Sequence, residues 1–440
     1  MLQAVRNSVR VPDVRDKLIF TGLILVIYQF VAHVPVIGVD RAALDALLDQ
    51  SQGGGLIGVL NLLSGGAVAN FSVIANGVYP YITASIIFQL LVPVIPQLEA
   101  VQREPGGQEK IQRWTYYLSI PMAVLQSVAQ INIFNILSDG SQIIPGFGSD
   151  PMLTLTVIVT MTGGTMFAIW MGELITEDGI GNGISIIIFA GIVAIAPQQF
   201  ISLMVNTTGA FRFYNILMFL AVTGISIVTI VLIQEGVRRI PVQYGKRVRG
   251  RKQYGGSSTH IPLKVNPVGM IPLIFSQSVI TFPAIIFSLL PPSEITTNLT
   301  QSFGQQSGFW YWFTFFLLTV AFTFFYSDVM VQNQNLAESL QRNGGFIPGI
   351  RPGRRTEDYI KRVTRRITLV GAVFLGIIAV VPGFVGALNR LLFDISATQT
   401  TNAALVITGA GLIIVVGVVI DTLRQLEAQL VMRNYEGFMR

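Results

Sequence analysis

Ten long stretches without Asp, Glu, Lys or Arg dominate this sequence. A helix needs about 20 mostly apolar residues to cross roughly 30 Å of hydrocarbon. Each stretch holds one such helix, and the stretch at 50–98 has room for a further element. The stretches are residues 18–39, 50–98, 114–138, 151–172, 179–211, 213–234, 265–293, 295–327, 367–389 and 395–420. We therefore predict an all-α integral membrane protein with ten transmembrane helices.

The composition supports this prediction and argues against enzymatic chemistry. Hydrophobic residues make up 51% of the chain and charged residues 12%, against about 25% charged residues in soluble proteins. The chain has no cysteine and two histidines, His33 and His260, which leaves little for metal binding or general-base catalysis. We predict neither an enzyme nor a bound cofactor or metal.

The basic residues indicate which way the chain is threaded. Four of them lie in the polar segment 1–17, so the positive-inside rule places the N-terminus in the cytoplasm, and ten spans return the C-terminus to the same side. With that orientation, all but three of the 29 Lys and Arg residues fall in cytoplasmic segments; the exceptions are Arg41, Arg212 and Arg390.

Ten helices divide into two halves of five, which allows two inverted pseudo-repeats. The second helix of each half contains a proline, Pro80 and Pro272, and interrupted helices at matching positions point to a functional pathway. Ordinary helix prolines are the alternative. The predicted segments are the N-tail 1–17, the first half 18–211, helix 6 at 212–235, a basic loop 236–264, helices 7 and 8 at 265–331, a second basic loop 332–366, helices 9 and 10 at 367–423 and the C-tail 424–440.

Polarity inside the predicted spans is uncharged. Residues such as Gln89, Gln126, Gln277 and Ser278 can form interhelical hydrogen bonds, whereas proton-coupled pumps usually need buried carboxylates. Static helix packing is the simpler interpretation for any one of them. A ten-helix secondary transporter for a small uncharged solute remains the alternative function, and a membrane enzyme or lipid scramblase is a second, although no His, Asp or Glu cluster supports catalysis.

The segment between the first helix and Pro80 is apolar but rich in Gly, Ala, Ser and Asn. We predict a short re-entrant segment, which membranes tolerate only where protein or a water-filled cavity surrounds it. An interfacial loop with a surface helix is the alternative.

Both large loops are strongly basic. Loop 236–264 has eight basic residues and no acidic one, and loop 332–366 places glycines and prolines around Arg351 before a basic helical stretch. Such loops suit an RNA backbone or an acidic protein surface, and anionic lipid headgroups are the alternative. We predict two rigid docking protrusions for a large partner.

Several long strings resemble the SecY family of protein-conducting channels. They are LLSGGA, GVYPYITASIIFQLL, GELITEDGIGNGISIIIFAGI, RRIPVQYGKR, STHIPLKVNPVGMIPLIF, GGFIPGIRPGRRTEDYI and MRNYEGF. They occur in the family's order from about residue 12 to residue 437.

The resemblance implies a channel that carries unfolded secretory polypeptides across the membrane and releases transmembrane segments sideways into lipid. Signal sequences gate it, and SecA or a ribosome drives it. It implies SecE, SecG, SecA, the ribosome and its RNA, signal peptides and nascent chains as partners, with anionic lipids and a second copy of the channel as further ones. The implied location is the bacterial cytoplasmic membrane, with the thylakoid membrane as the alternative.

The resemblance also implies roles for individual residues. A constriction ring falls on Val78, Ile82, Ile184, Ile188, Ile274 and Ile414. A plug falls on residues 61–72, including Leu63, Ser64, Gly65, Gly66, Ala67, Asn70 and Phe71. Polar lateral-gate positions fall on Gln89, Gln126 and Ser278, with hydrogen bonds expected between the halves. Docking positions for SecA or the ribosome fall on Lys246, Arg247, Arg249, Arg251 and Arg351.

The spacing and the apolar, branched side chains of these residues are consistent with a constriction ring. The pairs 78/82 and 184/188 are spaced i, i+4, so each presents two β-branched side chains on one helix face. An apolar ring excludes ions by dewetting while yielding to a passing chain.

Overall fold

Helices form almost the whole architecture. The computed structural model describes residues 11–51, 61, 64–137, 142–206, 210–244, 247–249, 252–254, 258–288, 309–334, 336–393 and 411–438. The helices are α1 (Pro12–Val31), α2 (Arg41–Ser51), α3 (Tyr79–Leu91), α4 (Pro96–Arg103), α5 (Gly107–Leu137), α6 (Pro151–Asp178), α7 (Gly183–Asn206), α8 (Ala210–Glu235), α9 (Ile271–Ser288), α10 (Phe309–Gln334), α11 (Leu336–Arg342), α12 (Arg354–Phe393) and α13 (Leu412–Phe438).

The prediction of an α-helical membrane protein is confirmed. By length and composition, five of the described helices are apolar enough to cross a membrane, and the bent pair α3–α4, with an angle of 107°, makes six. Helices α7 and α9 contribute shorter apolar stretches, Gly183–Pro197 and Ile271–Pro283. The count of ten spans stays a prediction.

The two prolines singled out from the sequence begin helices and do not interrupt them. Pro80 lies in the first turn of α3 and Pro272 is the second residue of α9. Proline suits the first helical turn because the amide hydrogen it lacks would have no partner there. The helices of the two halves thus match in where they start, after irregular segments at 73–78 and 265–270.

A small sheet, absent from the sequence-based prediction, is built from the two basic loops. Its strands are β1 (Val237–Tyr244), β4 (Ser258–Lys264) and β5 (Gly345–Phe346), in the order β4-β1-β5, and β2 (Arg247–Arg249) pairs with β3 (Lys252–Tyr254) as a separate hairpin. All described pairings are antiparallel. We call the end of the molecule that carries these strands the basic end.

The sheet is fastened to the helices by its own apolar core. Ile240 and Val242 alternate with exposed residues along β1 and pack with Leu340, Ile347 and Ile360. Helix α12 begins at the basic end and continues across the predicted loop boundary at residue 366 as one 40-residue helix. The basic loops are therefore anchored to the body of the protein.

The halves meet along two seams. On one side α7 packs against α8 and α13, and on the other α9 packs against α3 and α5. Between the seams lies the largest apolar cluster, which draws buried residues from both halves.

Two acidic residues in the last two turns of α8 and α10 are paired with arginines of other helices. Asp328 accepts a hydrogen bond from Arg365 at 3.1 Å, and Glu235 accepts one from Arg424 at 2.8 Å. These partly exposed pairs add little stability, about 0–1 kcal/mol each.

Candidate pore and gate

Five of the six ring positions are buried members of the central apolar cluster, and the sixth packs against it. Val78 is fully buried, Ile188 and Ile414 are each 2% exposed, Ile82 is 7% exposed and Ile274 is 8% exposed. Ile184 is partly buried and packs against the same cluster. They come from the start of α3 and from α7, α9 and α13, so both halves contribute.

This buried cluster is the arrangement that an apolar constriction would require. Full burial of a Val or Ile side chain stabilises a structure by about 1.5–3 kcal/mol, so the closed cluster is favoured without any polar contact. Branched aliphatic side chains offer no partner to an ion or to water, and such a constriction can block conduction by dewetting.

The segment predicted as a plug is held against α1 and the residue that follows it by polar contacts. The Tyr28 hydroxyl in α1 donates to the Ser64 carbonyl oxygen at 2.8 Å, and the Asn70 amide lies 3.4 Å from the carbonyl oxygens of Ala32 and Gly66. Ser64, Gly65 and Ala67 are buried. Leu63 lies outside the described residues, and residues 65–71 form successive turns.

The far end of this segment is pinned to the chain that follows α1. Ser72 bridges to Pro35, with the Val36 amide donating to the Phe71 carbonyl oxygen at 3.0 Å. Phe71 has a φ of +43°, and among the described residues no other non-glycine residue has a positive φ. A bulky residue is strained in that conformation. Burial of its ring edge-on to Phe134, with centroids 5.3 Å apart, offsets the strain.

The expected hydrogen bonds between the halves are not made by the three predicted gate side chains. The Gln89 amide donates to Ser85 in its own helix at 3.0 Å, and the Gln126 amide donates to Thr83 in the same half at 3.3 Å. The Ser278 hydroxyl donates to the Ile274 carbonyl oxygen in α9. These bonds stay local because each side chain finds a partner one turn away or on the neighbouring helix of its own half.

A tyrosine that the sequence reading missed makes the contact across the halves. The Tyr79 hydroxyl in α3 donates to the Ser278 carbonyl oxygen in α9 at 3.3 Å. Nearby, the Gln277 amide in α9 lies 3.5 Å from both the Thr281 hydroxyl and the Tyr311 hydroxyl in α10. All five of these residues are buried. The α3–α9 seam therefore contains a small polar cluster inside an apolar surround.

The basic end brings the two predicted docking loops together. Strand β1 pairs with β5, so the base of the first loop lies beside the second at Tyr244 and Gly345. Arg247 and Arg249 lie on β2, where the register pairs Arg249 with Lys252. Lys246 and Arg251 lie outside the described residues.

Arg351 lies exposed on a tightly turned loop between β5 and α12. Its carbonyl oxygen accepts a hydrogen bond from the buried Thr356 hydroxyl at 3.0 Å. Gly349 and Gly353 on either side adopt φ values of +82° and +104°, which glycine reaches without strain. This geometry presents the guanidinium to solvent from a fixed backbone.

A helical membrane protein whose two halves meet in one buried apolar cluster, with a basic sheet packed on one end, has an architecture suited to a channel. The SecY family profile matches residues 72–423. Among similar proteins, the protein translocase subunit SecY of Streptomyces galbus is 40% identical over 453 residues, covering 100% of both chains. That of Thermus thermophilus is 38% identical over 443 residues, covering 100% of this chain and 98% of its own. The chain belongs to the SecY family.

Solved structures show the same fold. A structure described as a protein-conducting channel aligns with a TM-score of 0.60 at 19% identity, covering 94% of this chain and 92% of its own. Sec61 from a canine ribosome–channel complex of the endoplasmic reticulum aligns with a TM-score of 0.59 over the same shares.

Proposed function

We propose that this chain is the channel subunit of a protein translocase. It conducts unfolded secretory polypeptides through the central constriction and releases apolar segments sideways into lipid. One observation carries the proposal: side chains from both halves converge at the six ring positions in a single buried apolar cluster. A seal of branched aliphatic side chains yields to an extended chain because it makes no specific bond with it.

The sideways exit lies along the seam of α9 with α3 and α5. An apolar signal helix that enters this seam must separate the Tyr79 hydroxyl from the Ser278 carbonyl oxygen. The signal helix buries its apolar surface against the seam and the lipid, and this burial offsets the free energy lost with that hydrogen bond. A sufficiently hydrophobic signal therefore opens the gate and a polar segment does not.

The gate gives a testable prediction. Tyr79→Phe keeps the ring and removes the bond across the halves, so we expect two- to tenfold more export of a precursor with a weakened signal, since a neutral hydrogen bond contributes about 0.5–1.5 kcal/mol. The measurement is the protease-protected precursor in vesicles containing the chain, SecE, SecA and ATP. Gln89→Leu, which breaks a bond within one helix, is the matched comparison and should have the smaller effect.

Equal export by the Tyr79→Phe variant and the parent would contradict this role of the seam. The same vesicles test the function itself, because only a precursor that carries a signal should become protected. Uptake of a small solute without protein translocation would favour the secondary transporter instead.

The driving partners bind at the basic end. Exposed Arg351, the paired strands β2 and β3, and exposed Arg238 and Arg239 present positive charge from an anchored sheet. Charge-assisted contacts from this surface suit SecA or the RNA and proteins of a ribosome. We propose SecE and SecG as companion subunits, with anionic lipids and a second copy of the channel as further partners.

The basic end also indicates the orientation. Positively charged loops remain on the cytoplasmic side, so both termini face the cytoplasm and the plug segment faces outward. We propose the bacterial cytoplasmic membrane as the location, with the thylakoid membrane as the alternative, and a channel that performs no chemistry itself.

A further inference from the structure

The contacts of the plug segment are few and specific. Ser64 is 1% exposed, Tyr28 is fully buried, and the hydrogen bond between the Tyr28 hydroxyl and the Ser64 carbonyl oxygen measures 2.8 Å. The phenol belongs to the same apolar cluster as the constriction ring. A buried hydroxyl without a partner is costly, so displacement of Ser64 penalises Tyr28 as well as Ser64.

A second contact, between two glycines, limits where the plug segment can lie. A Cβ placed on Gly191 in α7 would lie 2.2 Å from the Gly65 Cα, and one placed on Gly65 would lie 2.9 Å from the Gly191 Cα. Two backbones therefore touch without an intervening side chain. The edge of the Tyr28 ring lies beside the same point, since a Gly65 Cβ would be 3.2 Å from Tyr28 Cε1.

We infer that Tyr28 is a positioning residue that anchors the plug in its closed seat, and that the Gly65–Gly191 contact is the seat. The inference rests on the proposed function in one respect only, that a displaced plug segment corresponds to an open channel. The hydroxyl favours the seated segment because it loses its acceptor when the segment leaves. The two glycines permit an approach close enough for that bond to form.

The absence of cysteine from the sequence makes the seated fraction measurable. Ser64→Cys places one nearly isosteric thiol in the plug, buried in the closed seat. A membrane-impermeant maleimide added from outside then labels the thiol at a rate that follows the displaced population. Ser119→Cys, a fully buried position in α5, reports general loosening of the fold.

We expect Tyr28→Phe to raise labelling at residue 64 two- to tenfold, as loss of one neutral hydrogen bond implies. Gly191→Ala should raise it by more than about fivefold, because the clash is with backbone and overpacking cannot be relieved by a rotamer. Gly163→Ala is the matched helical control, since nothing lies within 4 Å of a Cβ there. Tyr117→Phe, at a tyrosine 64% exposed, is the control for the hydroxyl.

A Tyr28→Phe rate equal to the parent's would overturn the anchor, and a Gly191→Ala rate equal to that of Gly163→Ala would overturn the seat. Increased labelling at residue 119 alongside residue 64 would also overturn the proposal, because it indicates loosening of the whole fold. The proposed function fails separately: an engaged secretory chain that never raises labelling at residue 64 contradicts a mobile plug in translocation, whatever Tyr28 does.

Discussion

Replacing Ile82 and Ile188 together with serine is expected to make the resting channel leak ions, on the order of 100-fold above the parent. Burial of each isoleucine contributes about 1.5–3 kcal/mol, and serine hydroxyls would instead favour water in the constriction. Lowering the free-energy barrier to ion passage by roughly 3 kcal/mol raises the ion flux about 100-fold. The measurement is single-channel or vesicle ion flux of the purified protein without substrate.

The matched control replaces two isoleucines whose side chains face outward. Ile201 in α7 is 59% exposed and Ile225 in α8 is 68% exposed, so Ile201→Ser with Ile225→Ser removes the same atoms away from the cluster. This control should remain as tight as the parent. Equal leakage from the two double variants would mean that the effect comes from weakened helix packing and that the ring assignment is wrong.

Charge reversal at Arg351 is expected to reduce SecA-driven export more than about tenfold while leaving the protein inserted. Loss of one partner from a desolvated, hydrogen-bonded charge pair costs about 2–5 kcal/mol at an interface, and Arg351→Glu also adds repulsion towards an acidic partner. The fold should be unaffected because Arg351 is exposed and the hydrogen bond that holds its loop, from the Thr356 hydroxyl, goes to the Arg351 carbonyl oxygen and not to its side chain. Export in vesicles and membrane yield are the two measurements.

Arg355→Glu provides the comparison, since Arg355 is exposed one turn further on at the start of α12. It changes the net charge equally but lies outside the glycine-rich loop. Full export by the Arg351→Glu variant would show that this arginine serves only to orient the chain in the membrane.

The helices could be predicted because burial in lipid imposes a simple pattern on the sequence. The charge-free stretches 151–172 and 213–234 fall within α6 and α8. The exceptions arise where the chain changes environment. Helix α12 crosses the boundary placed at residue 366, because Arg365 and Arg366 are exposed while Ile360, Val363 and Ile367 continue the buried face.

The sheet at the basic end was missed although a signal was present. Along β1 the buried residues Ile240 and Val242 alternate with exposed ones, the two-residue period of a strand. High positive charge and Pro241 concealed this period. Strand pairing with β5 joins segments about 100 residues apart, and no local pattern reveals such a pairing.

The residues of the candidate site likewise divide into those that the sequence indicates and those that only the fold reveals. The ring positions came from the resemblance to the SecY family, and the i, i+4 spacing of branched residues at 78/82 and 184/188 is consistent with them. The two tyrosine contacts could not be predicted, because Tyr28 and Tyr79 donate to backbone carbonyl oxygens 36 and 199 residues away. Every residue offers such an acceptor, so only the fold selects the partner.

The most direct test of the central claim is a site-specific crosslink from the ring. A photoreactive residue at Ile82 or Ile188 is combined with a stalled secretory chain engaged by SecA or a ribosome, and with the same residue at outward-facing Ile225. We expect adducts at both ring positions only when the signal sequence is present, and none at Ile225. Adducts confined to the basic end, near Lys246 or Arg351, would contradict the account and place the path of the polypeptide elsewhere.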